Sequence, residues 1–140
     1  MRRLLFLTTI LASIFLLNNC NNTKHLTSQT QNIFRGKWQL MEIQGQEVPD
    51  SLRYSFDFTP GNIAGRTYCN LLSARFIAGK NQTITFIPDT TNKKPCGHEQ
   101  VASLEASFLD AISKSTKWDL HGGELLLGDG QFTLIKLKSL

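Results

Sequence analysis

The sequence predicts an α+β fold, a mainly antiparallel β-sheet forming a half-barrel wrapped around one α-helix. The first observation behind this is alternation: Tyr54, Phe56 and Phe58 alternate with Arg53, Ser55 and Asp57, the period of two expected of a half-buried strand. The second is a single helical stripe, with Val101, Leu104, Phe108, Leu109, Ala111 and Ile112 recurring at a spacing of about 3.6 residues. A helix with one apolar stripe needs an apolar sheet face to cover it, which favours one helix lying on one curled sheet. A third observation bounds the folded part. The chain opens with an apolar run from Leu4 to Leu17 that stops on Asn18-Asn19-Cys20.

Residues 1–19 read as a lipoprotein signal peptide. Arg2 and Arg3 precede the 14-residue apolar run, the n-region and h-region of an export signal. A membrane-spanning helix needs about 20 apolar residues, so this run is short for a permanent anchor. No small-x-small cleavage site lies between Ser13 and Lys24. Leu17-Asn18-Asn19-Cys20 instead resembles the lipobox of bacterial lipoproteins, with Asn19 where Gly, Ala or Ser is usual. That resemblance implies that Cys20 is acylated, with palmitate-like chains, and becomes the first residue. Residues 20–33 then form a polar tether (Asn, Thr, Ser and Gln with little to bury) that should stay unfolded and span roughly 20 Å root-mean-square. Asn21 is not the aspartate that, by resemblance, retains lipoproteins in the inner membrane. The expected location is the outer membrane, with the domain facing the periplasm.

Residues 34–140 form the predicted domain. Trp38, Leu40 and Ile43 mark a first strand, broken at Val48-Pro49-Asp50. The Tyr54–Phe58 strand follows, then a turn at Pro60-Gly61-Asn62 and a strand through Ile63 to Arg66. Leu72, Ala74 and Phe76 alternate, Gly79-Lys80-Asn81 turns the chain, and Ile84 and Phe86 continue the pattern. The helix is predicted from Glu99 to Ser113, with Glu99 and Glu105 toward its N-terminal half and Lys114 and Lys117 after its end, as the helix dipole favours. Strands return at 116–120, 124–128 and 132–137, joined by the tight-hairpin dipeptides Gly122-Gly123 and Asp129-Gly130.

In order and spacing these segments resemble the META domain of HslJ-like heat-shock lipoproteins, over about Gly36 to Lys136. The residues that carry the resemblance are G-K-W-Q-L-M-E-I-Q-G at 36–45, G-R-T-Y-C-N at 65–70 and the cysteine of K-P-C at 94–96. E-A-S-F-L-D-A-I at 105–112 and G-G-E-L-L-L-G-D-G at 122–130 complete the set. Tyr68 replaces the glycine of the family's Gly-Cys-Asn, and Asn92 stands where the family has threonine. The resemblance implies a small antiparallel half-barrel around one helix, and links to envelope stress and drug tolerance without an established catalytic activity.

Composition narrows the function. The formal charge of +4 falls to about +2 once Arg2 and Arg3 are removed, and the remaining basic residues are scattered, unlike the patch of a nucleic-acid binder. Cys69 and Cys96 are left once Cys20 is assigned, and an even pair in an exported chain reads as a disulfide. Closing that loop would stabilise the domain by roughly 3 kcal/mol. A zinc site using Cys69, Cys96, His98 and His121 is the alternative, but Cys-x-His is not a common zinc spacing; free buried thiols are another. No metal and no cofactor is expected. His98 and His121 lack the context of a nucleophile elbow, and Asp57 and Glu42 are expected on the wet face of the sheet rather than as a catalytic pair. Asn70 is expected to serve its turn. If one surface is functional, it is the corner of Arg66, Asn70, Cys96 and His98. The expected function is a non-enzymatic envelope lipoprotein, held to the membrane through Cys20, acting as an accessory or adaptor for another envelope protein, with the link to heat or antibiotic stress implied by the family resemblance. The alternative is a carrier whose cargo, a lipid or small apolar ligand, lies in a groove lined by Phe56, Phe58, Phe76 and Phe86.

Overall fold

The structure is a computed structural model that describes residues 32–67, 69–89 and 97–140. The predicted signal peptide, Cys20, nearly all of the tether, Tyr68 and Cys96 lie outside the described residues. Among the described residues nine strands form one antiparallel sheet: β1 (Gly36–Ile43), β2 (Gln46–Glu47), β3 (Ser55–Thr59), β4 (Asn62–Arg66), β5 (Leu71–Ala78), β6 (Ile84–Pro88), β7 (Lys117–His121), β8 (Glu124–Gly128) and β9 (Thr133–Ser139). A single helix longer than one turn among the described residues, α1 (Glu99–Lys114), comes between β6 and β7, and a 3₁₀ turn occupies Asp50–Leu52. The spatial order is β6-β5-β4-β3-β1-β9-β8-β7, with β2 paired to β1.

This order follows from short connections everywhere except across β1, which receives the C-terminal β9 on its second edge. Both outer strands of the series then meet. Thr83 pairs with Lys117 in a single antiparallel bridge, Ile84 N–H donates to Thr116 O at 2.9 Å, and Trp118 N–H donates to Gln82 O at 2.9 Å. The result is a nearly closed half-barrel, joined at its seam by one bridge.

Strand alternation supplies the core. Phe56 and Phe58 on β3, Ile63 on β4, Phe76 on β5, Ile84 on β6, Leu125 and Leu127 on β8, and Ile135 and Leu137 on β9 are all at most 1% exposed. The α1 stripe covers them, with Val101, Phe108, Ala111 and Ile112 buried, and the Phe108 ring stacks on Phe56 at 4.8 Å, nearly parallel. Phe34 plugs the end where β1 begins. It is fully buried, lies edge-on to Trp118 (4.8 Å) and Phe76 (5.6 Å), and its carbonyl accepts Trp38 Nε1–H at 2.7 Å. The groove considered for a cargo is therefore occupied: Phe56, Phe58, Phe76 and Phe86 pack against protein, not against open space.

Two local expectations are corrected. Asp129-Gly130 is part of a four-residue connection, 129–132, because Asp129 Oδ1 accepts the N–H groups of both Gln131 and Phe132 at 2.8 Å. Glu42 is only partly exposed, paired with Lys136 across β1 and β9 at 3.0 Å, whereas Asp57 is exposed as expected. Glu105, placed by the sequence only toward the N-terminal half of the helix, is buried.

Candidate functional site

Glu105 lies one turn beyond Val101 and one before Phe108, on the apolar stripe itself. A carboxylate there must find donors, since an unsatisfied buried polar group costs about 1–3 kcal/mol. The β4–β5 connection supplies them. Asn70 Nδ2 donates to Glu105 Oε1 at 2.6 Å, and Thr67 Oγ donates to Oε2 at 2.8 Å. The connection is closed on itself as well: Thr67 N–H donates to Asn70 O at 2.9 Å, and Asn70 N–H donates to Thr67 Oγ at 3.0 Å. Thr67, Asn70 and Glu105 thus lock the helix to the β4–β5 end of the barrel. Cys69 is half-buried within this connection and is disulfide-bonded, its partner sulfur being outside the described residues.

Beside this lock, a cleft of about 750 Å³ runs between the β1–β2 hairpin and the first half of α1. Ile43, Leu52 and Leu104 form its apolar floor, while Gln44, Gln46, Glu47, Glu99, Gln100, Ser103 and Ser107 supply amides, hydroxyls and two carboxylates. Its hairpin wall is braced by Arg53, which donates from Nε to Val48 O (3.2 Å) and pairs with Glu47 (3.0 Å) and Asp50 (2.7 Å). At the far end Gln44 Nε2 donates to Asp110 Oδ2 at 3.3 Å, joining hairpin to helix, and Asp110 pairs with Lys114 at 2.7 Å. Among the described residues no lysine or arginine lines the cleft. It can recognise a polar partner by hydrogen bonds over an apolar floor, as a protein or peptide contact does.

The corner named from the sequence separates into parts. Asn70 belongs to the lock. His98 is exposed at the N-cap of α1 and lines a recess that shares Leu52, Glu99 and Gln100 with the cleft. Arg66 is exposed where its neighbour Thr67 is buried, so alternation turns it to the outer face of the sheet. Cys96 and Cys20 lie outside the described residues. His121 pairs with Asp119 on β7 at 3.2 Å. Among the described residues there is no group of three His, Cys, Asp or Glu that could hold a metal, and no helix long and apolar enough to cross a membrane. Sequence reasoning missed Thr67 and Glu105; the signal was a carboxylate standing at stripe position 105 between Val101 and Phe108.

The META domain family model matches residues 31–139, most of the chain and all nine strands. The chain belongs to the META domain family. Among solved structures, a DUF4847 family protein from Bacteroides vulgatus aligns with this META domain at a TM-score of 0.57 and 17% identity, over 77% of this chain and 95% of its own. A second, solved by NMR, aligns at a TM-score of 0.57 and 18% identity, over 84% of this chain and 94% of its own. At that identity the two share the fold with this META domain. No curated protein matches the chain.

Proposed function

We propose that this META domain protein is a lipid-anchored, non-enzymatic module of the bacterial envelope. It acts as an accessory or adaptor under heat or antibiotic stress by binding another envelope protein in the cleft between the β1–β2 hairpin and α1. The observation that carries this reading is the filled barrel. Phe34, Phe56, Phe58, Phe76 and Phe108 are each at most 1% exposed, so the outer surface is where a partner can be met. Acylation at Cys20 would hold the domain at the outer membrane on the periplasmic side. Cys69 would be joined to Cys96, since Cys20 is committed to lipid, and that bond would tie the start of α1 to the β4–β5 connection beside the cleft.

A two-part experiment tests it. An apolar fluorescent probe should bind wild-type protein no better than it binds an unrelated soluble domain, and a photo-crosslinking residue at Gln46 or Ser103 should yield a discrete protein adduct in native membranes, while one at Asp57 should not. Strong probe uptake by the wild-type domain, without an adduct from the cleft, would favour the carrier instead.

A further inference from the structure

The end of the barrel where the chain leaves for Cys20 is built unlike the opposite end. β1 begins there at Gly36 and β9 finishes beside it, Trp38 pairing with Ser139 and Leu140 N–H donating to Lys37 O at 2.9 Å. Two large apolar side chains stand exposed on this end, Ile33 at 45% and Leu140 at 69%. Arg35, Lys37 and Lys138 are exposed with them. Asp57 lies across from Lys37 and Glu124 across from Lys138, and Arg35 adds a further exposed cation beside them. The cleft is at the other end of β1, past Ile43, and eight strand residues separate the two by roughly 25 Å.

We propose that this end of the domain rests on the membrane, Ile33 and Leu140 entering the headgroup–acyl boundary while Arg35, Lys37 and Lys138 meet lipid phosphates. The inference rests on the lipid anchor at Cys20 and goes beyond it by fixing which face the lipid sees. Apolar insertion combined with basic residues is the usual chemistry of interfacial contact. The contact is weak alone, but a short tether gives the domain an effective concentration in the millimolar range at the surface, so weak contact suffices. Docked this way, the domain presents its cleft away from the bilayer, toward a partner.

The chain carries its own probes. Its two tryptophans, Trp38 and Trp118, both touch Phe34 at this end. The full acylated chain, its acyl mass verified, is placed in vesicles of phosphatidylethanolamine and phosphatidylglycerol with brominated acyl chains, which quench tryptophan at short range. Wild-type emission is expected to be quenched. The double variant Ile33→Asp, Leu140→Asp should lose most of that quenching with its circular dichroism melt unchanged, and Phe132→Asp, exposed at 63% beyond the far end of β8, should match wild type. An acylated chain that is not quenched, or a double variant quenched like wild type, overturns the docking face and leaves the anchor standing. A chain without acyl mass overturns the anchor and the face together.

Discussion

Glu105 is a charged residue whose position is fixed by two neighbours distant in sequence. Removing the carboxylate as Glu105→Ala takes away the acceptor that Asn70 Nδ2–H and the Thr67 hydroxyl share and should cost about 2–3 kcal/mol in urea unfolding. Glu105→Gln should cost about 1 kcal/mol, because the Gln oxygen can still accept from Asn70, and Thr67 Oγ has Asn70 O at 3.0 Å as a second acceptor. Equal losses for the two variants would mean that the charged carboxylate itself, not the volume or the single acceptor oxygen that Gln retains, is what the site needs. A second residue sets a pH dependence. The backbone N–H groups of Phe132 and Gln131 hold Asp129 below its ordinary pKa. A lowered native pKa contributes stability that is full above the unfolded value and is lost as pH falls through the native one. Thermal melts should therefore show wild type above Asp129→Ala near neutrality, with the gap closing in acid below the ordinary aspartate range.

Among the elements, β3 and α1 show most clearly what residue patterns can and cannot specify. The Tyr54–Phe58 alternation and the Val101–Ile112 stripe gave their positions directly, because a period of 2 or 3.6 is a property of the local chain. Gly65 on β4 has a reason visible only in three dimensions: a Cβ there would run into the Phe56 ring and stand 2.7 Å from Ser55 O. Gly65→Ala should destabilise by about 1–3 kcal/mol, as overpacking does, read from the shift in the unfolding midpoint. The Phe56–Phe108 stack joins sheet to helix. Phe108→Ala should cost about 3–5 kcal/mol and open a cavity, and the variant, unlike wild type, should then take up an apolar dye. The burial of Glu105 was hidden for a physical reason. Charge normally marks a wet face, and the donors that reverse this come from Thr67 and Asn70, more than thirty residues earlier.

For the whole molecule, the seam and the cleft lay beyond the sequence. The Thr83–Lys117 bridge joins strands with no pattern in common, and the cleft exists because Arg53 braces the hairpin while Gln44 reaches Asp110. What was legible was the sheet-plus-helix fold, since burial alternates along β3 and β5, and the family, from the order and spacing of its segments. The proposed surface-acting module rests on an anchor at Cys20 and a Cys69–Cys96 pairing, and both are tested in one measurement: the intact mass of protein extracted from native membranes, alkylated with and without prior reduction. The account predicts a chain beginning at Cys20 with added acyl mass, and two thiols, those of Cys69 and Cys96, that appear only after reduction. A chain still carrying Met1 with three freely alkylated thiols would contradict it.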